Sequence, residues 1–380
     1  MDLPHQRPTA SNRLYVAEGS MHLYSSSPVV LTPANLYDLK QNSQLKEFTE
    51  LCNIYVVAAR GRIFVDPLRF NFTDGVMRGR FIVAGESGPT HVDFVWRISG
   101  DPFGDGSKVE EVGVSENGTH VHLSNGAGSG TVVPALRLVA EARSALKEAQ
   151  RDLEVLYIGQ GIGRSRARTA LDRLQNHSTL QRILADAVTF RPNMEVILLL
   201  YRFEHSRSII STGGDLRAEP AATPEQEQAH MRRMSGANIP RHKRIALAEA
   251  ALIRHFQPHY NVQIKSSDFA AKKKLKVLAE VLKLDLTGVI VEISSANIRS
   301  RLRTASAPPD DLSTLFGPDV AYGDKLDDDH LNAAWQDQLH QMAHTQYARF
   351  ALTTPQERDT FMHGTVWHGS RERDGGPFGT

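Results

Sequence analysis

A glycine- and serine-rich segment, Ser124 to Gly130, divides the chain into two parts with different hydrophobic patterns. Its composition is flexible and is typical of a domain boundary. Before it, residues 13–124 contain short apolar runs that end in turn residues, which predicts a β-rich region with one helix at 34–51. After it, runs with helical spacing alternate with short apolar runs. We therefore predict an α+β protein, in which a small mixed or antiparallel sheet flanked by helices follows a β-rich N-terminal domain.

The length and composition agree with two or three ordinary domains. The chain has 380 residues, of which 41% are hydrophobic and 23% charged, and its formal net charge is +1. We expect a β-rich domain at 1–124, a second module at 131–300 with a mobile polar insertion at 206–240, and a C-terminal helix with a disordered tail at 301–380. The charge excludes a strongly basic nucleic-acid-binding tail, although a local basic patch is still compatible with it.

The sequence indicates a cytoplasmic protein without a membrane span. The N-terminus has no apolar core for a signal peptide, and the longest apolar run, Val196 to Leu200, is far too short to cross a bilayer. Cys52 stands in an apolar stretch, which predicts a buried, unreactive thiol.

The second module shows a clear order of predicted elements. The expected helices and strands are a helix at 134–153, a strand at 154–158, helices at 169–177 and 178–188, a strand at 194–203, a helix at 239–256, a strand at 287–293 and a helix at 331–350.

Glu249 carries the strongest chemical signal that needs no comparison with other proteins. On a helical wheel it falls among Ile245, Leu252 and Phe256, within the apolar stripe. A carboxylate is costly to bury there unless it is paired or binds a cation. The alternatives are that it reaches solvent at the edge of the stripe or pairs with an arginine.

A second group of residues suggests phosphate contact. Arg173 and His177 stand four apart and share a helix face, which could also be an ordinary solvated face. Before them runs a loop rich in glycine and arginine. Guanidinium groups bind phosphate oxygens bidentately, and glycine permits close backbone approach. The loop arginines are Arg164, Arg166 and Arg168.

Read together, four segments resemble the GIY-YIG nuclease family. They are Leu156-Tyr157-Ile158-Gly159-Gln160, Arg173-Leu174-Gln175-Asn176-His177, Ala248-Glu249-Ala250-Ala251-Leu252-Ile253 and Pro258-His259-Tyr260-Asn261. The resemblance covers roughly residues 154–265. The family's first Gly-Ile-Tyr strand has no counterpart directly before Tyr157, so we expect its place to be taken by a strand such as 120–123, or to be empty.

The resemblance implies metal-dependent cleavage of nucleic acid, with DNA favoured over RNA. Glu249 would hold one Mg²⁺ (or Mn²⁺) ion, Arg173 would neutralise phosphoryl charge, and Tyr157 would orient or activate water with His177 as a proton shuttle. Gly159 and Asn261 would support the site. A basic patch is expected to contribute to nucleic-acid binding; it consists of Lys272, Lys273, Lys274 and Lys276.

Two other functions stay open from sequence. One is an inactive nucleic-acid-binding module of the same fold, and the other is a small-nucleotide enzyme that uses the glycine loop Gly159 to Gly163, which matches neither standard phosphate-binding motif. His340 and His344 could bind zinc, but a helix without that role is favoured. The sharpest expectation is geometric: Tyr157, Arg173 and Glu249 should converge on one open pocket without a direct ion pair.

Overall fold

The computed structural model describes residues 14–38, 43–161, 170–175, 177–203, 205–211, 221–261, 276–310, 312 and 329–352, and it is a mixed α+β structure rich in strands. The strands are β1 (Glu18–Tyr24), β2 (Val29–Leu31), β3 (Ile54–Gly61), β4 (Ile63–Thr73), β5 (Val76–Val83), β6 (Thr90–Arg97), β7 (Glu111–Val114), β8 (His120–Ser124), β9 (Gly130–Pro134), β10 (Arg143–Ser144), β11 (Leu153–Gln160), β12 (Met194–Tyr201), β13 (His205–Ser211), β14 (Leu286–Ser294), β15 (Leu302–Arg303) and β16 (Thr345–Ala351). The helices are α1 (Asn35–Asp38), α2 (Ser43–Glu50), α3 (Ala135–Glu141), α4 (Glu148–Arg151), α5 (Ala170–Gln175), α6 (Ser178–Phe190), α7 (Pro224–Ser235), α8 (Arg241–Phe256), α9 (Lys276–Lys283) and α10 (Asp329–Ala343), and a 3-10 turn covers Ala296–Ile298.

A five-stranded sheet in the order β15-β11-β3-β12-β2 forms the centre of the fold. The strand β3 lies between β11 and β12 and is antiparallel to both, whereas β15 pairs with β11 in parallel. Seven of its eight residues are buried, because helices cover both faces of the sheet. This burial explains why its sequence is a continuous apolar run rather than an alternating one.

The two faces of β3 belong to different hydrophobic cores. Ile54, Val56 and Ala58 pack in a core with α8. Tyr55, Val57 and Ala59 point to the opposite face, where the core includes residues of α5 and α6. The alternation of side chains along one strand thus assigns Tyr55 to the α5–α6 side.

A second, four-stranded sheet has the order β13-β1-β14-β16. The strands β1 and β14 are parallel, and the two outer strands are antiparallel to their neighbours. Its buried residues, among them Val289 and Val291, share the core that contains α8. Helix α8 is therefore packed between the two sheets.

Strands β4 to β10 and helix α3 form a third part of the structure with its own sheets, of order β10-β6-β5-β4 and β7-β8-β9. All the buried members of its hydrophobic core come from residues 63–146. In the chain this part stands between β3 and β11, which are neighbours in the five-stranded sheet.

The sheet pairing differs from the domain boundaries expected from sequence. Strands from residues 18–61, expected in a separate N-terminal domain, pair with strands from residues 153–303. Residues after 301 supply more than a helix, since β15 and β16 join the two large sheets. The physical reason is that β3 and β11 pair although residues 62–152 separate them, and pairing between distant segments leaves no mark on local patterns.

Three predicted elements also need correction. The helix expected at 134–153 is divided into α3, β10 and α4. The reason is that its apolar residues pack in two different cores. Leu138 packs in the core of β4 to β9, whereas Leu136 packs against the core that contains α8. The region 206–240 contains the ordered strand β13 and helix α7, and a Thr223–Gln226 capping box begins that helix. Helix α10 ends at Ala343 and is followed by β16.

The other predicted elements of the central part are confirmed at nearly their expected bounds. They are the strand β11, the helix α6, the strand β12, the helix α8 and the strand β14. Within the described ranges, we find no helix that is both long and apolar enough to cross a membrane.

Candidate active site

The strand that pairs with β11 brings a second tyrosine to the predicted site. In the register of β3 and β11, Tyr55 stands opposite Gly159, and Val57 stands opposite Tyr157. A register shift between Val155 and Tyr157 turns the Tyr157 side chain toward the core that holds Tyr55. The expected partner strand at 120–123 was wrong, because those residues pair with β7 and β9.

Tyr55, Tyr157 and His177 form an aromatic cluster. The ring centroids of the two tyrosines are 6.1 Å apart, and the His177 ring lies 6.0 Å from Tyr55 and 5.1 Å from Tyr157. The Tyr157 hydroxyl is 3.5 Å from His177 Nε2, which is at the limit of a hydrogen bond. His177 is the residue that precedes α6, so the short connection from α5 places it here.

Gly159 is needed because the Tyr55 ring lies directly over its backbone. A Cβ atom at this position would be 2.5 Å from both the Cζ and the hydroxyl oxygen of Tyr55. Such a distance is far inside van der Waals contact, so any side chain would displace the ring. The glycine of Tyr157-Ile158-Gly159 therefore allows the phenol of β3 to reach the site.

Asn261 fixes the backbone of β11 with two hydrogen bonds. Its Oδ1 accepts a 2.8 Å hydrogen bond from the Ile158 N–H, and its Nδ2 donates a 2.8 Å hydrogen bond to the Ile158 carbonyl. The side chain amide thus satisfies both polar groups of a buried residue, as a neighbouring strand would. The supporting role expected for Asn261 has a definite physical basis: it holds the residue next to Tyr157.

Arg173, on α5, is exposed and tied to the end of β11. Its Nη1 donates a 3.0 Å hydrogen bond to the carbonyl of Gln160. One terminal nitrogen is therefore used to hold the guanidinium beside the strand. The rest of the group can contact an anion, which is what a phosphate-binding arginine requires.

Glu249, on α8, is the carboxylate of the cluster. Burial raises its pKa from 4.5 to about 7, although the charge of Arg173 and the Gln160 backbone N–H partly oppose that rise. Neighbouring residues of the helix, Ala248 and Ala250, are buried. Among the described residues Glu249 makes no ion pair with Arg173.

These side chains are close enough to influence one another's pKa values. Burial, followed by the Glu249 carboxylate, raises the pKa of Tyr157, while Arg173 opposes the rise. Burial, followed by the Arg173 charge, lowers the pKa of His177. At neutral pH the phenols are therefore protonated and the imidazole is neutral.

Two buried polar atoms of the cluster lack a hydrogen bond of normal geometry among the described residues. They are the Tyr55 hydroxyl, which lies near the Tyr157 hydroxyl, and His177 Nδ1. A buried polar atom without a partner is costly unless a ligand or water completes its hydrogen bond. Both atoms therefore favour a polar ligand at this position.

Two glycines of the glycine loop, Gly159 and Gly161, lie against other side chains and backbone of the protein. Gly159 accommodates the Tyr55 ring, and a Cβ atom on Gly161 would lie 2.1 Å from the Cα atom of Ala170. Both glycines are thus explained by close contacts within the protein. Gly163 lies outside the described residues, as do Arg164, Arg166 and Arg168.

The remaining candidate ligands have other roles or cannot be placed. His340 Nε2 contacts the Ala296 carbonyl at 2.9 Å, and His344 Nδ1 contacts the His340 carbonyl at 2.8 Å, so both rings contact backbone oxygens. The described part of the chain contains no group of three His, Cys, Asp or Glu side chains arranged around a metal position. Cys52 is buried as expected, and burial raises its pKa to about 11. Of the predicted lysine patch, Lys276 begins α9; the others, Lys272, Lys273 and Lys274, lie outside the described residues.

Tyr55 is the residue that the sequence interpretation missed. Its tripeptide, Asn53-Ile54-Tyr55, shares two residues with the Gly-Ile-Tyr that the family resemblance requires, and it begins a buried strand. That signal was available in the sequence. It was missed because no local pattern indicates that β3 pairs with β11, which is distant from it in the chain.

Comparison with known proteins found no relative of this chain. No family model matches the chain, and neither the curated proteins nor the solved structures contain a significant match.

Proposed function

We propose that the chain is a metal-dependent nuclease of the GIY-YIG type that cleaves phosphodiester bonds, with DNA favoured over RNA. The observation that carries the proposal is the convergence of Tyr55, Tyr157, Arg173, His177 and Glu249 at one end of the sheet β11-β3-β12. The resemblance in sequence concerned four separate segments. Their meeting in space, together with a second tyrosine, supports a shared site.

Glu249 suits a divalent cation. Mg²⁺ keeps several of its waters and is often bound by one or two carboxylates together with substrate phosphates. A single half-buried carboxylate without an ion-pair partner among the described residues fits that description, since a cation would offset its desolvation. When bound, the metal would polarise the scissile phosphate and stabilise the leaving oxygen.

The other side chains of the site have separate roles in phosphodiester cleavage. Arg173 neutralises charge that develops on the phosphoryl oxygens. Tyr157 stays protonated at neutral pH because burial and Glu249 raise its pKa, so it orients the attacking water by hydrogen bonding. His177 is neutral and lies 3.5 Å from the Tyr157 hydroxyl, which allows the imidazole to accept the proton of the water through that hydroxyl.

The second candidate is an inactive nucleic-acid-binding module of the same fold. The absence of a first tyrosine was the reason to consider it. Because Tyr55 occupies the corresponding strand, and because Arg173 and Glu249 are both present, the catalytic reading is favoured.

The test is a cleavage assay with supercoiled plasmid and with a structured RNA, each with Mg²⁺, with Mn²⁺ or with EDTA. We expect metal-dependent cleavage of the plasmid by the wild type and none by Glu249→Gln. Glu86→Gln, which alters an exposed carboxylate far from the site, is the matched control and should cleave normally. Cleavage by Glu249→Gln at the wild-type rate would refute the proposed role of this residue, and metal-independent binding without cleavage would favour the inactive module.

A further inference from the structure

Three arginines meet at the end of the five-stranded sheet opposite to the candidate active site. Arg60 stands near the end of β3, Arg151 just before β11, and Arg299 shortly before β15. The strand β3 is antiparallel to β11, and β15 is parallel to β11, so all three positions lie at the same end of the sheet. Arg60 is five residues from Tyr55 along β3, or roughly 16 Å at the usual strand rise.

Arg60 is the buried member of this arginine cluster. Its side chain is 1% exposed, and its Nε donates a 2.6 Å hydrogen bond to Glu195. Its two terminal nitrogens, Nη1 and Nη2, have no partner among the described residues. A buried guanidinium usually has its donors satisfied, so two free nitrogens need an explanation.

Arg151 is half-buried and Arg299 is exposed at the same end of the sheet. Arg151 Nη2 donates a 3.2 Å hydrogen bond to Ser144, but its buried Nε has no partner among the described residues. Burial lowers the pKa of Arg151, and the charges of Arg299 and Arg60 lower it further, whereas the Glu148 charge opposes this change.

Three carboxylates lie near the arginine cluster. Glu195 binds Arg60 through its Nε alone, and Glu148 and Asp152 bind Arg301 at 2.5 Å and 2.8 Å, while the Glu148 charge also acts on Arg151. The arginine cluster still contains guanidinium nitrogens without partners among the described residues, on the buried Arg60 and on Arg151.

We propose that the arginine cluster is a binding site for a phosphate group, either inorganic phosphate or the terminal phosphate of a nucleotide. A tetrahedral oxyanion supplies several acceptors at once and suits guanidinium donors that converge from different elements. It would satisfy the free nitrogens of Arg60 and Arg151 and remove the repulsion among the three charges. This site is separate from the proposed catalytic site, because it lies at the other end of β3.

The test compares phosphate binding in variants of the two sites. Calorimetric titration with orthophosphate, and separately with adenosine monophosphate, is performed in EDTA at constant ionic strength. Arg299→Asn is the main variant, since Arg299 is exposed and has a φ of 48°, a conformation that asparagine tolerates. We expect it to weaken binding on the order of tenfold, because a charge-assisted contact is lost. Arg69→Asn, at an exposed position of β4, is the control and should bind as the wild type does.

Each outcome bears on the proposal. Equal affinity for the two ligands identifies the phosphate alone as the ligand, and tighter binding of the monophosphate identifies a nucleotide. Arg173→Gln should leave binding at the arginine cluster unchanged. If phosphate does not bind, or if Arg173→Gln abolishes binding that Arg299→Asn leaves intact, the proposal is wrong. Cleavage activity does not enter this test, so failure here is independent of the proposed nuclease function.

Discussion

Replacing Glu249 by glutamine should stabilise the protein at alkaline pH while it abolishes cleavage. Partial burial, which removes water from the wild-type carboxyl, raises its pKa from an ordinary value of 4.5 to about 7 in the folded protein. One pKa unit corresponds to about 1.36 kcal/mol, so ionisation of Glu249 costs the folded state up to about 3 kcal/mol. Glutamine has nearly the same shape and carries no charge, and thus avoids this cost.

The direction of the pH dependence follows from proton linkage. Between pH 4.5 and about 7 the folded state binds more protons at this site than the unfolded state, so the wild type loses stability as pH rises through that interval. Below the interval the carboxyl is protonated in both states and contributes no difference. We therefore expect the variant and the wild type to have equal unfolding free energies near pH 4.5 and to diverge by up to about 3 kcal/mol above pH 7.

The measurement is urea unfolding of both proteins in EDTA at several pH values from 4.5 to 8. Glu86→Gln removes an exposed carboxylate and should follow the wild type at every pH. Adding Mg²⁺ at pH 8 should stabilise the wild type and Glu86→Gln but not Glu249→Gln, because the metal offsets the buried charge. Parallel curves for Glu249→Gln and the wild type would refute the reasoning that burial governs this carboxylate.

Three further predictions concern the packing of the site. Gly159→Ala should lower the unfolding free energy by about 1–3 kcal/mol, since the new Cβ would lie 2.5 Å from the Tyr55 ring. The variant should also cleave more slowly. Thermal unfolding that matches the wild type would contradict this prediction. Asn261→Ala should cost about 2–4 kcal/mol, because it leaves the buried N–H and carbonyl of Ile158 without partners, and a cost near zero in urea unfolding would argue against the clamp. Tyr55→Phe should lower the unfolding free energy by less than about 1 kcal/mol, because the hydroxyl has only a poorly aligned contact with Tyr157. It should nevertheless reduce cleavage at least about tenfold, and an unchanged rate would exclude the hydroxyl from the site.

The sequence was most informative where a residue conflicted with its local pattern. Glu249 was predicted from the cost of a charge within an apolar helical stripe, and the structure places it where burial raises its pKa. The position of Asn261 after α8 follows a local rule of the same kind. The helix face expected to carry both Arg173 and His177 was wrong, because α5 ends at Gln175 and His177 has an extended backbone just before α6. Each of these inferences uses residues that are close in the chain.

What the sequence did not reveal depends on pairing between distant segments. Tyr55 was missed because the structure around residues 63–146 separates it from Tyr157 in the chain, although β3 and β11 pair directly. The apolar stripe of α3 was read as one long helix because a single sequence cannot show that its residues face two cores. In both cases the deciding interaction joins elements whose distance in sequence has no relation to their distance in space.

The pairing of β3 with β11 leads to a final prediction about the part formed by β4 to β10. Its core draws its buried members from residues 63–146, and the chain leaves β3 and enters β11 at neighbouring positions of one sheet. Continuing the register in which Ala59 stands opposite Glu154 places Gly61 opposite Asp152. Residues 62–151 can therefore be replaced by the turn Asn-Gly, which closes a two-residue hairpin between antiparallel strands.

We expect this shortened protein to fold and to retain metal-dependent plasmid cleavage, since Tyr55, Tyr157, Arg173, His177 and Glu249 are all preserved in it. It should be less stable than the full chain, because partly buried Leu136 and Ala140 pack against the core of α8 and are removed. A peptide of residues 62–147 should fold separately around its own core. Circular dichroism and thermal unfolding of both pieces provide the test, with Glu249→Gln in the shortened protein as the inactive control. The prediction is wrong if the shortened protein does not fold and the peptide also remains unfolded. That result would show that the β4–β10 part and the five-stranded sheet depend on each other for stability, and that the β4–β10 part is not an independent insertion in a hairpin.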